Sequence, residues 1–269
     1  MTDLQAAVLG IVQGLTEFLP VSSSGHLVLA SYWFGFKPSG ESLELAVDIA
    51  TNTGTFFAVL IALRADVWRA LRGFILGLRS AEGRQQEGWH LAILVLIGSV
   101  PTAAIGLGLK EVFETLNAPV PVSFALAVTG LLLWFSPTRG GRTEATSLTW
   151  RDGLIAGIAQ GLAVIPGISR SGSTITTLLW RNVDAALAAK LSFLMYLVAS
   201  AGVAVLGLTE VRDAALGWSA LGWMTLTSFI TGWLALIWLF RLLKRGQFRW
   251  FAPYLWAISA LTLARVFVA

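Results

Sequence analysis

The sequence predicts an all-α polytopic membrane protein, on three observations. Of its 269 residues, 56% are hydrophobic and 13% are charged, where a soluble globular domain carries about 25% charged residues. The mean hydropathy is +0.74. The apolar residues form long continuous runs, not the alternation that strands of an outer-membrane barrel require. So few charges cannot cover a soluble protein of this size, and disorder needs low hydrophobicity. A water-soluble enzyme, a nucleic-acid-binding domain and a disordered chain are thereby excluded. The net charge of +4 does not restore nucleic acid as a partner, because the basic residues are spread over short loops between apolar runs. Twelve tryptophans suit bilayer interfaces. The lack of cysteine removes disulfides, thiolate metal sites and cysteine nucleophiles. The opening Met1-Thr2-Asp3-Leu4 has no basic n-region, so no removable signal peptide is expected.

Six runs approach the roughly 20 residues that cross a bilayer: 47–64, 89–109, 119–136, 190–208, 219–240 and 250–268. Two further apolar regions are interrupted. Region 4–35 breaks at Pro20-Val21-Ser22-Ser23-Ser24-Gly25-His26, and region 151–181 at Pro166-Gly167-Ile168-Ser169-Arg170-Ser171-Gly172-Ser173-Thr174. Their arms are too short to span, proline ends a helix, and serines offer the backbone alternative hydrogen bonds. Each region reads as a re-entrant helix–loop–helix pair. Irregular backbone at membrane depth survives only inside protein or beside a wet cavity.

The two broken regions are related. Gly10-Ile11-Val12-Gln13-Gly14-Leu15 aligns with Gly157-Ile158-Ala159-Gln160-Gly161-Leu162, and the same offset carries Ser22, Ser24 and Gly25 onto Ser169, Ser171 and Gly172. A single integral membrane domain made of two halves, 1–138 and 147–269, follows. Each half holds one re-entrant pair and three spans, so the second must start on the opposite side. That is an inverted-topology repeat whose broken helices meet near the midplane.

Orientation follows from the cations. Arg64, Arg69, Arg72, Arg79 and Arg84, then Arg139, Arg142 and Arg151, then Arg241, Lys244, Arg245 and Arg249 share one side, against Lys37, Lys110 and Arg212 on the other. The richer side is expected in the cytoplasm, with both termini outside. Stretch 65–80 reads as an interfacial amphipathic helix, or as an ordinary cytoplasmic loop helix.

Ionisable groups inside membrane segments are costly and therefore informative. Glu17, His26, Asp48 and Arg170 are such groups. Taken alone, His26 suits a structural role, and Glu17 suits the capping of backbone amides. Arg170, between serines and glycines in a broken helix, has the form of an anion clamp, because a guanidinium fork pairs two phosphate oxygens at once. The hydroxyls and backbone N–H groups around it add to an anion site at a helix N-terminus. Pseudo-symmetry sets Glu17, Ser22, Ser23, Ser24 and His26 opposite Ser169, Arg170, Ser173 and Thr174. Hydrolysis of a phosphate ester or anhydride needs such parts: positive charge for the transferring phosphoryl group and an in-line base or nucleophile. A carboxylate could instead hold a divalent cation.

These motifs resemble those of the bacterial undecaprenyl-diphosphate phosphatase family, associated with bacitracin resistance. Gln13-Gly14-Leu15-Thr16-Glu17-Phe18-Leu19-Pro20-Val21-Ser22-Ser23-Ser24-Gly25-His26 is similar to the family's (Glu/Gln)-x-x-x-Glu and Pro-Val-Ser-Ser-x-Gly-His. Pro166 through Thr174 is similar to its Pro-Gly-x-Ser-Arg-Ser-x-x-Thr, and Leu191-Ser192-Phe193-Leu194 to its Phe-Ser-Phe-Leu. The resemblance covers essentially the whole chain. It implies removal of the terminal phosphate of a C55 isoprenyl diphosphate, giving the monophosphate carrier of peptidoglycan synthesis. It also implies six spans with two re-entrant pairs in the bacterial cytoplasmic membrane, and an active site facing the periplasm. Carried over by position, the site residues are Glu17, Ser23, His26, Ser169, Arg170 and Thr174, with Ser23 or His26 as nucleophile. Gln13 stands where many members have Glu, which removes one metal ligand. A divalent cation, Mg²⁺ or Ca²⁺, is expected at Glu17 with Gln13. Asn52-Thr53-Gly54-Thr55 stands for the family's Gln-x-Gly-(Ser/Thr). Partners are the lipid diphosphate and membrane lipids; a homo-oligomer is compatible with the sequence. The competing reading is a transporter, or flippase, for a polyprenyl phosphate or another anion, which would use the same loops without cleaving their ligand.

Overall fold

The structure, a computed structural model, describes residues 1–35, 41–138, 140–207 and 217–268. Helix and irregular turn account for the described residues, apart from an isolated bridge between Arg142 and Val183. The positions of Lys37, Arg139 and Arg212, used above for orientation, lie outside the described residues, as do residue 208 and the side chain of Lys110.

Helix α1 (Asp3–Phe18) starts from a capping box in which Gln5 N donates to the Thr2 hydroxyl and Thr2 N to Gln5 Oε1. It stops ahead of Pro20, and α2 (Ser23–Phe34) restarts from Ser22. Helix α3 (Glu41–Ala62) turns at Leu63 into α4 (Arg64–Arg79), followed by the single turn α5 (Ala81–Arg84) and by α6 (Glu87–Gly108). The short α7 (Lys110–Thr115) leads to α8 (Pro119–Trp134), whose first residue is a proline, as a helix N-terminus accepts. The second broken pair is α9 (Trp150–Leu162) and α10 (Arg170–Trp180). Then come α11 (Ala185–Gly207), α12 (Trp218–Lys244) and α13 (Phe251–Val268).

Among the described residues five helical segments are long and apolar enough to cross a membrane: those within α3, α6, α11, α12 and Phe248–Val268. The chain is therefore a multi-pass membrane protein. The sixth expected run is shorter than 119–136: α8 has 16 residues, about 24 Å of helix against a hydrocarbon core of about 30 Å. Other boundaries move as well. The 47–64 run is not one helix, because α3 begins at Glu41 and the chain bends at Leu63. Helix α11 begins at Ala185, not 190, and α12 continues to Lys244, where Arg241 and Lys244 face the negative end of its dipole. Large apolar side chains point outward on these helices, among them Val100, Leu107, Leu234 and Leu261. A bilayer solvates such a surface; water would not.

The broken helices are held by close packing. Helix α1 lies along α12, and α9 along α6. A Cβ on Gly10 would stand 2.5 Å from the Met224 carbonyl oxygen, and one on Gly157 would stand 2.1 Å from that of Gly98. Both glycines let backbones approach as small residues do in membrane helix pairs. Helix α11 runs through the middle, with Leu191, Ser192, Phe193, Leu194, Met195, Tyr196 and Leu197 all buried. Helix α4 occupies the stretch expected at 65–80: Gly73 and Gly77 pack on Gly88 and Trp89 of α6, and Trp68, Leu71, Ile75 and Leu78 are exposed.

Arg142, read above only for topology, also ties the two broken helices together. Asp152, buried at the start of α9, accepts from Arg142 Nη1 and Nη2 at 2.9 and 3.0 Å, from Thr149 N at 2.7 Å, and from Arg181 Nε at the end of α10. Burial alone would raise this carboxyl. The hydrogen bonds from Arg142, Thr149 and Arg181 outweigh it and hold Asp152 well below the usual carboxylate range.

Candidate active site

The two breaks meet each other. Ser22 caps α2 through Gly25 N (3.4 Å) and reaches across to accept from Gly167 N in the other loop (3.2 Å). Ser169 caps α10 through Gly172 N (3.1 Å), and Ser171 Oγ donates to the Leu19 carbonyl of the first loop (3.3 Å). The caps match at the offset seen in the sequence. Ser22 pairs with Ser24 and Ser169 with Ser171, both at 3.3 Å between hydroxyls. The backbones are not identical, because Ser22 has φ of 68° and Ser169 of −75°. A positive φ on a serine is strained, and the interlocked hydrogen bonds hold it. Thr129 of α8 completes the clasp by accepting from Ser169 N and donating to Gly167 O.

This clasp places Ser23 and Arg170, each the first residue of its helix, around Glu17 near the end of α1. Ser23 Oγ donates to Glu17 Oε2 and Arg170 Nη2 to Glu17 Oε1, both as short contacts. Gln13, one turn before Glu17, donates from Nε2 to Glu17 Oε2 at 3.0 Å and to Asn52 Oδ1 of α3 at 3.3 Å. The Arg170 guanidinium lies 3.8 Å from the centre of the Tyr196 ring, a cation–π contact. Tyr196 is braced by Thr55 at 3.0 Å between hydroxyls and by edge-to-face packing on Phe18. Among the described residues Arg170 Nη1 is buried without a hydrogen-bond partner. The clamp thus keeps one unused donor beside an arginine–carboxylate pair.

These groups line a cavity of about 650 Å³, within the range of small-molecule sites. Gln13, Glu17, Ser22, Ser23, Ser24, Ser169 and Arg170 all face it. Its upper walls come from the first half of α3 and the last part of α11, including Leu45, Asp48, Ile49, Val203 and Val205, while Phe56 and Phe57 line it on the side toward Leu63. It is therefore a polar base under an apolar throat. The N-termini of α2 and α10 give that base a positive potential.

Three sequence-chosen residues stand elsewhere. The His26 side chain is directed to α13, where Nε2 meets the Tyr254 hydroxyl at 2.7 Å and Nδ1 the Ser22 carbonyl at 2.8 Å. The imidazole and phenol rings are stacked. With both ring nitrogens engaged, His26 braces the strained Ser22 and does not line the cavity. Thr174 is fully buried; its hydroxyl bonds the Arg170 carbonyl at 2.8 Å and Ser192 of α11. Ser173 is buried, and its hydroxyl has no partner among the described residues. Thr174 and Ser173 therefore support α10 rather than line the cavity.

Sequence reasoning overlooked Tyr196, Tyr254 and Gln160 as parts of the site. Gln160 lines the cavity at the offset position of Gln13, donating to Thr102 Oγ1 at 3.4 Å. The repeat already aligned these two glutamines, so that signal was available. The tyrosines lie on distant helices in apolar surroundings, which gives them no local mark. Asn52 was visible only as the residue in place of the family's glutamine.

Around Glu17 the candidate ligands are oxygens of Gln13, Asn52 and Ser23, and Asp48 lines the same cavity. Among the described residues no three of His, Cys, Asp and Glu group together as a metal cage. Such a set suits a hard cation that shares phosphate oxygens with its substrate, not an ion caged by protein alone.

A family profile described as bacitracin resistance protein BacA matches residues 6–261. A protein of Acaryochloris marina named undecaprenyl-diphosphatase is 65% identical over 266 residues, covering 99% of each chain. Proteins of the same name from Desulfosudis oleivorans and a Nocardioides species are 41% and 35% identical. They cover 98% of this chain, and 98% and 96% of their own length.

Proposed function

Since this chain belongs to the bacitracin resistance protein BacA family, we propose that its cavity hydrolyses undecaprenyl diphosphate to undecaprenyl phosphate and inorganic phosphate. The observation that carries the mechanism is one carboxylate, Glu17, accepting from both Ser23 and Arg170. That arrangement joins a nucleophile, its base and an anion clamp.

Arg170 moves its fork onto the terminal phosphate, with Nη1 as a donor already in place and Ser169 and Ser24 as further hydroxyls. Released from the arginine, Glu17 takes the proton of Ser23, whose hydroxyl it already holds. Ser23 Oγ attacks the terminal phosphorus, the bridging P–O bond breaks, and undecaprenyl phosphate leaves with the bond's electron pair. Glu17 passes the Ser23 proton to the departing undecaprenyl phosphate; it then takes a proton from water, whose oxygen attacks the phosphoserine, and delivers it to Ser23 Oγ as the Oγ–P bond breaks and inorganic phosphate leaves. His26 and Tyr254 hold the Ser22 turn that aims Ser23. The apolar side chains on the open side, Leu45, Ile49, Val203 and Val205, take the first isoprene units. A divalent cation, Mg²⁺ or Ca²⁺, held by Glu17 with Gln13 and by the diphosphate itself, would neutralise phosphate charge.

The same reading places the enzyme in the bacterial cytoplasmic membrane with the cavity toward the periplasm. The cavity opens at the ends of α3 and α11 away from Arg64 and Lys190, on the side opposite the arginine-rich loops. The inverted-topology repeat, 1–138 and 147–269, is proposed on the matched serine caps and on the exchanged packing of α1 with α12 and α9 with α6.

Phosphate release from C55 diphosphate by the purified protein, with and without EDTA, tests this. Wild type should release phosphate, EDTA should stop it, and Mg²⁺ or Ca²⁺ should restore it. Glu17→Ala and Arg170→Ala should be inactive in every condition. No release with any divalent cation, combined with lipid diphosphate binding that depends on Arg170, would replace hydrolysis by transport.

A further inference from the structure

A second cavity, of about 440 Å³, lies at the other end of the same helices. The catalytic cavity takes Asp48 and Asn52 from α3 and residues Tyr196 to Val205 from α11; the second takes Ala62 and Lys190. Along α3 the catalytic cavity extends from Phe57 back to Leu45, and along α11 from Tyr196 on to Val205; the second lies past the other limits, at Ala62 and Lys190, and so sits at the opposite ends of these helices. The rim of the second is cationic: Arg64, Lys190, Arg241 and Lys244. Its wall is apolar, with Trp233, Ile237 and Phe240 one turn apart along α12.

Helix electrostatics accounts for half of this charge. Arg241 and Lys244 stand at the C-terminus of α12, where cations are favoured. Arg64 is the first residue of α4, and Lys190 lies near the start of α11, both at positive helix ends. Lys190 pairs with Asp66 at 3.2 Å, while Arg64 donates to the Ile61 carbonyl. Arg64, Arg241 and Lys244 have no acidic partner among the described residues. Three cations converging without a carboxylate call for an anion from outside the chain. The apolar span of α3 ends at Ala62, and the uncharged run of α12 ends at Phe240, just before Arg241, so the rim sits where hydrocarbon gives way to head groups.

We propose that this cavity binds an anionic phospholipid of the membrane, its phosphate held by Arg64, Arg241 and Lys244 and an acyl chain lying along Trp233, Ile237 and Phe240. A basic pocket between helices on the positive side of a membrane protein suits such a head group. A zwitterionic lipid brings its own cation into the same cluster and fits poorly. The site is independent of the hydrolytic reading, since none of its residues faces the catalytic cavity.

Native mass spectrometry of the delipidated full-length protein, given equal phosphatidylglycerol and phosphatidylcholine, tests this. Wild type should retain phosphatidylglycerol preferentially. The Arg241→Gln/Lys244→Gln double variant should lose about tenfold of that retention, each cation near a membrane surface contributing severalfold. Arg64→Gln, on the opposite wall, should lose severalfold alone. The control Arg72→Gln/Arg79→Gln, on the exposed face of α4, should stay within about twofold of wild type. Equal losses in the control and cavity variants, or no preference for phosphatidylglycerol in wild type, would overturn the site. Retention of added C55 monophosphate with exclusion of phosphatidylglycerol would overturn the occupant.

Discussion

The two breaks carry the same frame and different chemistry. At each, a serine caps the returning helix, pairs with a second serine two residues on, and is followed by a glycine whose N–H it accepts. Shifted by the repeat offset, Ser23 falls on Arg170, Glu17 on Val164 and His26 on Ser173. The first break therefore supplies base and hydroxyl, and the second supplies the cation. A frame made of two like halves would present like charges to each other across the clasp. Exchanging one side chain of each matched pair turns that repulsion into the Glu17–Arg170 ion pair.

The largest effect should come from breaking that exchange. Arg170→Lys keeps the charge but loses the fork and much of the stacking on Tyr196. Glu17→Gln keeps the shape but loses the base. Each should reduce phosphate release from C55 diphosphate by at least about 10³-fold, as removal of a group made for the transition state does. Glu17→Gln also leaves the Arg170 charge without its partner, so melting temperatures must accompany the rates. Near-normal turnover by Arg170→Lys would remove the clamp from the mechanism.

Ser23→Ala should match that loss and sharpen the difference between the breaks, since Ser23 alone is expected to carry phosphate. Acid-quenched wild-type enzyme should yield phosphoserine at Ser23. Phosphate trapped at His26 would move the nucleophile, and its absence from both would point to direct attack by water.

Both breaks were legible in the sequence because proline, glycine and serine interrupt apolar runs, and a repeat offset made each confirm the other. Glu17 and Arg170 were legible because a charge inside such a run is expensive. The supports were less so. Tyr196 and Tyr254 are apolar enough to look like lining of a span, and their partners lie 141 and 228 residues away, at Thr55 and His26. His26 read as chemistry because it is rare and titratable, and adjacent in sequence to the serines, whereas its side chain stands against Tyr254 and the Ser22 carbonyl. The tertiary position of α13 adds the Tyr254 hydroxyl to the local Ser22 carbonyl as its partner. The bend at Leu63 was hidden because apolar residues run up to it and no proline or glycine marks it, and the length of α8 by apolar residues beyond its last turn.

An intermediate effect should follow from loosening the His26 brace. Tyr254→Phe removes one hydrogen bond while keeping the stacked ring, about 1 kcal/mol or roughly a fivefold fall in kcat. His26→Gln, which loses the stack as well, should fall about tenfold. KM should stay nearly unchanged in both, because the diphosphate contacts remain. A loss of about 10³-fold in His26→Gln, with Tyr254→Phe near wild type, would return the imidazole to the reacting atoms.

The smallest effect is expected at the residue matched to His26. Ser173 occupies the same position on α10, is buried, and has no partner for its hydroxyl among the described residues. A buried hydroxyl left unpaired costs stability, so replacing it with a methyl group removes a penalty rather than an interaction. Ser173→Ala should release phosphate within about twofold of wild type and melt at the same or a slightly higher temperature. The matched pair then separates frame from function: one position supports the strained Ser22 turn and is sensitive, while its counterpart sits behind an unstrained cap and is dispensable. A large loss of activity in Ser173→Ala, with the melting temperature unchanged, would mean that the hydroxyl turns toward the phosphate when substrate is bound, and that the second break contributes more than its arginine.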